Sequence, residues 1–331
     1  MENFVMQTLY IVVPCYNEQE VLEDSNRQLL AVANRLEAEG KAKQVRVLYV
    51  DDGSRDRTWE IIARLADADA HVAGLKLAHN VGHQNALWAG LEQVAERADA
   101  TVSIDADLQD DIEVIHRMVD DALQGYDVVY GVRRERSTDT FFKRQTAQGF
   151  YRVMRWMGAE TVYNHADFRL LSRRALSSLL AFPERNLFLR GMVPMVGFRS
   201  KQELYDRKER TAGESKYPLR KMISFAADGI TSVSVKPIRF IFYVGVAFVL
   251  ISLGVIVYAL WQHHAANTIP GWTSLLVSLW FIGGSIMIAL GVVGEYIGKI
   301  YKEVKRRPRY TAETTLNIDC FYESNCSKQA N

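Results

Sequence analysis

Two long apolar runs near the C-terminus constrain the fold of this chain more than any other feature. Residues 240–261 and 274–294 contain no charged side chain. About 20 residues in a helix, at roughly 1.5 Å per residue, match the hydrocarbon core of a bilayer. Each run is therefore predicted to cross a membrane. The alternative, a pair of buried core helices in a large soluble protein, does not account for two such runs with the same basic flanks.

The basic residues around the two runs predict their orientation. The connecting segment 262–273 carries no Lys or Arg. The basic flanks consist of Arg220, Lys221, Lys236 and Arg239 before the first run and of Lys299, Lys302, Lys305, Arg306, Arg307 and Arg309 after the second. Positive charge is retained on the cytoplasmic side of a membrane. We therefore expect an inner-membrane protein with two membrane helices, in which both termini and the N-terminal domain are cytoplasmic.

The rest of the chain divides into three further parts. Residues 1–214 read as an α/β domain, 215–239 as an amphipathic segment next to the membrane, and 299–331 as a basic cytoplasmic tail with a disordered end. The segment 215–239 suits an anionic membrane surface, although an ordinary surface helix has the same pattern. The net charge of +1 lacks the basic surplus that a nucleic-acid partner requires. The bilayer is therefore an expected partner, and nucleic acid is not.

The first part of the chain alternates between short apolar runs and amphipathic stretches. Strands are predicted at 9–14, 45–50, 72–77, 101–104 and 127–130, and helices at 18–39, 56–68, 83–97 and 112–123. Strands that alternate with helices imply βαβ units and a mostly parallel sheet flanked by helices. Ligands of such sheets bind beyond the carboxyl ends of the strands.

Acidic motifs follow three of these strands. Glu18 lies in PCYNE, Asp52 in DDGS, and Asp105 and Asp107 in DADLQ. Carboxylates that converge repel one another unless a cation or a donor-rich ligand lies among them. Asp105 and Asp107, two residues apart, offer the hard oxygen ligands that suit Mg²⁺ or Mn²⁺ on a diphosphate. A single D-x-D is usually a solvated loop, but three acidic motifs in this order indicate a nucleotide-diphosphate site.

These residues also carry a resemblance to a known family. VVPCYNE, YVDDGSRD, HNVGHQNALWAGL and SIDADLQDD are similar to the family-2 glycosyltransferases, which have the GT-A fold. HADFRLLSRRA, PERNLFLRG and GEYIGKIY extend the similarity to the GtrB-like bacterial polyprenyl-phosphate glycosyltransferases, relatives of dolichol-phosphate mannose synthase. The similarity spans about residues 8–310. It implies a GT-A catalytic domain in residues 1–214 and a C-terminal transmembrane hairpin of two helices in 240–298.

The resemblance implies a role for each matching residue. The nucleotide-sugar pocket would be lined by Pro14, Tyr16, Glu18, Asp52 and Asp105. The metal, Mg²⁺ or Mn²⁺, would be held by Asp105, Asp107 and Gln109. The acceptor phosphate would be held by Arg133, Lys143 and Arg144. Asp105 and Asp167 would be catalytic, and Asp167 would either take a proton or orient Arg133 or Arg144. His79 and His83 are predicted to shape a loop rather than to bind metal.

The implied activity is the inverting transfer of a sugar from a nucleotide-diphosphate sugar to a polyprenyl phosphate, with UDP-glucose and undecaprenyl phosphate as the leading substrates. A UDP-linked amino sugar and GDP-mannose are the alternative donors, and a homo-oligomer is a further partner prediction. Two hypotheses from other classes are a lipid-carrier flippase component and an inactive scaffold that binds nucleotide sugar. Two helices without intramembrane charges disfavour the flippase, and the complete acidic set disfavours the scaffold.

Overall fold

The computed structural model describes residues 5–134, 165–206 and 272–318, with isolated positions between 238 and 254. The chain forms two compact units. The first contains residues 1–144, 161–216 and 308–331, and the second contains residues 145–160 and 217–307. Several predictions lie outside the described residues: the amphipathic segment up to 237, most of the first apolar run and of the link after it, the phosphate-binding pair Lys143 and Arg144, and the disordered end of the tail beyond 318.

The described elements alternate as the sequence predicts. The strands are β1 (Met6–Cys15), β2 (Ala42–Asp51), β3 (Val72–Leu77), β4 (Ala100–Ser103), β5 (Val128–Arg133), β6 (His165–Ser172), β7 (Ser200–Tyr205) and β8 (Ala312–Leu316). The helices are α1 (Leu22–Ala38), α2 (Thr58–Ala68), α3 (His83–Val94), α4 (Val114–Leu123), α5 (Arg173–Leu180), α6 (Leu189–Met195) and α7 (Trp272–Lys305). The five predicted strands and four predicted helices of the N-terminal part are all present.

The strands form one sheet in the order β7-β5-β6-β4-β1-β2-β3-β8. Strand β6 runs antiparallel to β4 and β5, and β8 runs antiparallel to β3, while the other pairs are parallel. The predicted fold class, a mostly parallel sheet flanked by helices, is therefore confirmed. Because β4, β1 and β2 are neighbours, the loops that follow them begin side by side at the carboxyl edge of the sheet.

Hydrophobic side chains cover both faces of the sheet. Along β1, Leu9, Ile11 and Val13 pack with α1, α2 and α4, whereas Tyr10 and Val12 pack on the other face with α3, α5 and α6. Successive side chains of a strand point to opposite faces, so a strand that is buried on both faces needs a continuous apolar run. This explains why β1 reads as an unbroken apolar segment and why the sheet is a rigid support for its edge loops.

Three strands were not predicted from the sequence. Strands β6 and β7 come after the region where the regular alternation fades, and β8 lies in the segment interpreted as a tail. Ahead of β8, Arg309 donates to the carbonyl oxygens of Phe182 and Glu184 at 3.1 and 2.8 Å, and its guanidinium lies over the ring of Trp88. Residues 308–318 of the predicted tail thus belong to the first compact unit, and Ala312–Leu316 form a strand of its sheet.

Helix α7 contains the second apolar run. Among the described residues, one segment is long and apolar enough to cross a membrane, Phe281–Lys305. An apolar stretch of 18 residues in it has a mean hydropathy of 1.6, and 6% of that stretch is buried. The helix has 34 residues, or about 51 Å at 1.5 Å per residue, which exceeds a hydrocarbon core of about 30 Å. It continues beyond the run 274–294 because the charged residues that follow are also good helix formers.

Candidate active site

The three acidic loops converge because their strands are adjacent. The amide of Asp52 donates to the carbonyl oxygen of Cys15 at 2.9 Å, and the amide of Ile104 donates to that of Val12 at 3.1 Å. These bonds extend the parallel pairing to the last residues of each strand. The side chains that follow β1, β2 and β4 are therefore held at one edge of the sheet, as the sequence predicted.

Hydrogen bonds connect the loop after β1 to the loop after β2. The amide of Asn17 donates to Ser54 Oγ at 3.0 Å, the amide of Arg55 donates to Asn17 Oδ1 at 2.9 Å, and the amide of Glu18 donates to Thr58 Oγ1 at 2.9 Å. Pro14 lies within β1 opposite Val50. The loop that carries the predicted pocket residues is thus held in place by its neighbour, while the side chain of Tyr16 is 41% exposed and open to a ligand.

Asp52 anchors a third loop. Its carboxylate accepts hydrogen bonds from the amides of Val81 and Gly82 at 2.7 and 3.0 Å. Burial raises the pKa of Asp52, although these two bonds oppose the shift. The next residue, Gly53, has a φ of +64°, and a Cβ there would lie 2.7 Å from the amide nitrogen of Asn80. The DDGS motif therefore fixes the turn before α3, and contact between Asp52 and a base stays a prediction.

The DADLQ loop presents the acidic pair. Ser25 Oγ of α1 donates to the carbonyl oxygen of Ala106 at 2.7 Å and so fixes the loop between the two aspartates. Gln109 Nε2 donates to Asp107 Oδ2 at 2.7 Å. Burial raises the pKa of Asp105, and the charges of nearby carboxylates, those of Asp167, Asp110 and Asp107, add to the shift. This crowding of negative charge favours a cation.

The acidic pair of this loop bears on the divalent metal that the family resemblance implies. Within the described ranges, no group of three or more His, Cys, Asp or Glu side chains is arranged to hold a metal ion. Mg²⁺, however, is commonly bound by one or two carboxylates together with substrate phosphates. Asp105 and Asp107 fit such a site, which a diphosphate would complete. Gln109 contacts Asp107, and its role as a direct ligand stays a prediction.

Asp167 lies in β6 at the same edge of the sheet. Ser103 Oγ, at the end of β4, donates to the carbonyl oxygen of Asp167 at 2.7 Å. The carboxylate accepts from Arg169 Nη2 at 2.6 Å and from Arg190 Nη2 at 3.1 Å. His83 Nε2 lies 3.7 Å from Asp167 Oδ2 and 3.6 Å from Asp105 Oδ1. The structure therefore brings both predicted catalytic residues together, with His83 between them.

The charge state of Asp167 follows from these partners. Burial disfavours its carboxylate, but the positive charges of Arg190 and Arg169 outweigh burial and hold the pKa well below its usual range. A carboxylate with so low a pKa is a poor proton acceptor near neutral pH. Of the two roles considered for Asp167, the geometry therefore favours orientation of other groups over proton transfer.

Arg133 has a different partner from the one considered in the sequence. Its Nε and Nη2 donate to Asp110 Oδ1 at 3.1 and 3.0 Å, and its Nε also donates to Tyr205 Oη at 3.2 Å. Asp167 is paired with Arg169 and Arg190 instead, so the hypothesis that it orients Arg133 is wrong. The assignment of Arg133 to the acceptor phosphate stays a prediction.

Sequence reasoning missed three residues of this site. His83 was interpreted as a loop residue, and Arg169 and Arg190 were given no role. The position of His83 after β3 placed it at the carboxyl edge and was the available signal. Arg169 lies two residues after Asp167, on the same face of β6, but this relation becomes visible only once β6 is recognised. Arg190 is distant in sequence from Asp167, and its place in PERNLFLRG, a segment that carries the family resemblance, was the available signal.

Comparisons with known families identify the family of this chain. The family model Glycosyl transferase family 2 matches residues 10–180. The chain belongs to this family. A second family model, GtrB C-terminal hairpin, matches residues 236–300. The protein is thus a glycosyltransferase with a GtrB-type hairpin, and this hairpin and the exposed apolar helix α7 indicate membrane association.

Individual relatives match over nearly the whole chain. The glycosyltransferase YkoT of Bacillus subtilis is 53% identical over 316 residues, which are 95% of this chain and 93% of the relative. The bactoprenol glucosyl transferase of Shigella phage SfX is 39% identical over 305 residues, 91% of this chain and 97% of the relative. Among solved structures, the mannosyltransferase PcManGT of Pyrobaculum calidifontis is 17% identical, covers 92% of this chain and 87% of its own, and gives a TM-score of 0.47.

Proposed function

We propose that this protein transfers a sugar, glucose from UDP-glucose, to undecaprenyl phosphate at the cytoplasmic face of the inner membrane. The observation that carries the proposal is the similarity to a bactoprenol glucosyl transferase over 91% of the chain, hairpin included. The catalytic edge, which is the carboxyl edge of the sheet where Asp105, Asp107 and Asp167 lie, supports the proposal. Its residues Asp105 and Asp107 suit a diphosphate-bound cation. A membrane hairpin joined to a nucleotide-sugar domain fits one lipid substrate and one water-soluble substrate.

The proposed reaction is a single displacement. An oxygen of the acceptor phosphate attacks the anomeric carbon, the bond from that carbon to the diphosphate breaks, and the nucleoside diphosphate leaves with the electron pair. The second pKa of a phosphate monoester is about 6, so the attacking oxygen is largely deprotonated near pH 7. A strong general base is then unnecessary, which agrees with the low pKa of Asp167. Divalent metal, held by Asp105 and Asp107, would stabilise the charge of the leaving diphosphate.

A donor screen tests the reaction. The full-length chain in detergent is incubated with undecaprenyl phosphate and, separately, radiolabelled UDP-glucose, UDP-N-acetylglucosamine and GDP-mannose. We expect lipid-linked label with UDP-glucose and a β-linked product from the α-linked donor, as determined by NMR. If only another donor gives lipid-linked label, the transferred sugar is the one from that donor and not glucose. A retained α configuration, or no lipid-linked product with any donor, would refute the proposed reaction.

Membrane orientation has its own test. Single cysteines are placed at Asn267, in the link between the helices, and at Ser54, in the catalytic domain, on a background in which Cys15, Cys320 and Cys326 are replaced. The basic flanks predict that an impermeant thiol reagent outside intact cells labels position 267 and spares position 54. The opposite labelling pattern would place the catalytic domain outside and would exclude a cytoplasmic donor.

A further inference from the structure

One carboxylate at the catalytic edge is shared by two arginines of unequal exposure. The side chain of Arg169 is 2% exposed, that of Asp167 is 15% exposed and that of Arg190 is 33% exposed. Both guanidinium groups donate to the same carboxylate, Arg169 at 2.6 Å and Arg190 at 3.1 Å. Because Arg169 is buried against Asp167, the arginine that can meet a solute is Arg190.

The backbone that carries Arg190 is held from two sides. The amide of Leu189, which precedes Arg190, donates to Gln84 Oε1 at 2.9 Å, and its carbonyl oxygen accepts from Arg169 Nη1 at 3.4 Å. At the other end of the side chain, Arg190 Nε and Nη2 donate to the two carboxylate oxygens of Asp167 at 3.3 and 3.1 Å. Both ends of a flexible side chain are thus fixed before any ligand arrives, which reduces the entropy lost on binding.

Arg190 also lies close to the acidic loop that carries Asp105. His83 Nε2 bridges Asp167 and Asp105 at 3.7 and 3.6 Å, so a single imidazole separates the carboxylate that holds Arg190 from the acidic loop. The guanidinium of arginine is permanently charged, and its planar fork matches phosphate oxygens. A partly exposed guanidinium that is already positioned beside the predicted diphosphate site is therefore suited to bind a phosphate oxygen of a substrate.

We infer that Arg190 is a substrate-binding residue that takes a phosphate oxyanion, and that Asp167 is the positioning residue that aims it. The inference rests on the proposed function, which brings two phosphate groups to this edge, the diphosphate of the donor and the monoester of the lipid acceptor. Both present the same chemistry to a guanidinium. Direct binding measurements with one probe for each source distinguish them.

The experiment uses the full-length chain in detergent and isothermal titration calorimetry. The two probes are UDP with MnCl₂ and geranyl phosphate, a short prenyl monoester. Arg190→Gln removes the charge, and Arg190→Lys keeps the charge without the fork. The matched control is Arg174→Gln, because Arg174 is also paired with a carboxylate, that of Asp127, which lies just before β5 at the opposite edge of the sheet.

We expect Arg190→Gln to weaken the binding of one probe at least about tenfold, the size of a charge-assisted hydrogen bond. Arg190→Lys should weaken the same probe by a smaller factor. Arg174→Gln should leave both affinities within about twofold of wild type, since it does not touch the catalytic edge. Weaker UDP binding assigns Arg190 to the donor, and weaker geranyl phosphate binding assigns it to the acceptor.

Three results would overturn the inference: unchanged affinity for both probes in Arg190→Gln even if turnover is lost, equal losses in Arg174→Gln, or a wild-type chain that binds neither probe. If Arg190→Gln fails to fold, Arg190→Lys decides alone, with a loss of at least about threefold in support and unchanged affinity against. Sugar transfer is measured separately. A wild-type chain that binds the probes but transfers no sugar refutes the proposed function and leaves the binding comparison valid.

Discussion

Replacement of Asp167 by Asn tests whether this carboxylate holds the catalytic edge together. The change removes the negative charge between Arg169 and Arg190 and leaves the volume nearly unchanged. Arg169 is 2% exposed at its side chain, so it would stay charged and buried, with the carbonyl oxygen of Leu189 still accepting a bond at 3.4 Å. Loss of one partner of a buried ion pair costs about 3–5 kcal/mol. We take about 3 kcal/mol, because the Asn carbonyl can still accept one hydrogen bond.

That free energy converts to a measurable shift. For a domain of about 150–250 residues, 1 kcal/mol corresponds to about 2–4 °C in the melting temperature, so Asp167→Asn should melt about 6–12 °C below wild type. The assay is thermal unfolding of the full-length chain in detergent at pH 7.5, followed by tryptophan fluorescence. Glu60→Gln is the control, because its side chain and that of its partner Arg57 are 70% and 75% exposed and water replaces the lost contact. That variant should lose about 1 kcal/mol or less.

The pH dependence gives the same test a second arm. The pKa of Asp167 is held below its ordinary value in the folded state, so its contribution to stability is fully present above the unfolded pKa of about 3.9. The contribution is lost as the pH falls from there through the folded pKa. The difference in melting temperature between wild type and Asp167→Asn should therefore stay constant from pH 8 to about 5 and narrow below about 4.

Two results would refute this reasoning: an Asp167→Asn variant that melts no lower than Glu60→Gln, or a difference that widens in acid. Activity is a separate readout. Loss of a contact at the reacting centre should lower the transfer rate at least about tenfold, equivalent to about 1.4 kcal/mol. A variant with reduced stability and full activity at low temperature would make Asp167 a structural residue only.

Three further changes have defined outcomes. Asp107→Asn should abolish metal-dependent UDP binding and transfer without a loss of stability, and full wild-type activity in excess chelator would contradict the metal site. Asp105→Asn should raise the melting temperature of the metal-free protein at pH 7, because the raised pKa of Asp105 means that its charge opposes folding there. This gain should shrink as the pH falls through the folded pKa and vanish below the unfolded pKa. Arg309→Ala should lower the melting temperature by the equivalent of about 1–3 kcal/mol, because it removes the hydrogen bonds to the loop carbonyl oxygens and the contact with Trp88. Arg307→Ala, at an exposed neighbouring residue, should change the melting temperature little. Differential scanning fluorimetry measures both variants.

Strong local periodicity made the first half of the fold predictable. The strands up to β4 are apolar runs buried on both faces, and each is followed by an amphipathic helix. Adjacent parallel strands end at one edge, so the convergence of Glu18, Asp52 and Asp105 followed from chain order and topology. The site could be located in this way because each motif lies within a few residues of a recognisable strand end.

The arginine pair could not be predicted for the opposite reason. Arg169 reaches Asp167 because both lie on one face of β6, and β6 pairs antiparallel with β4 and β5. This strand follows the part of the sequence in which the regular alternation of apolar and amphipathic stretches fades. Arg190 reaches it from the short helix α6, through tertiary packing that leaves no periodic signal. Likewise, β8 is the polar sequence AETTL at the edge of the sheet, and an exposed edge strand has no apolar alternation to distinguish it from a tail.

Strand β8 has a consequence for how the domain is completed. It follows α7 in the chain, yet it pairs with β3 and belongs to the first compact unit. Asn317 Nδ2, just beyond β8, donates to the carbonyl oxygens of Ala66 and Val72 at 2.7 and 2.9 Å. The sheet is therefore complete only after the membrane segment has been synthesised.

A truncation placed before the membrane segment would leave the backbone of β3 as an open edge, and open edges promote aggregation. A soluble catalytic domain should instead retain residues 308–318. A flexible linker in place of residues 217–307 would join them to the rest of the first compact unit. Such a chain keeps the β3–β8 pairing and the contact of Arg309 with Trp88, so the catalytic edge can be studied without the bilayer.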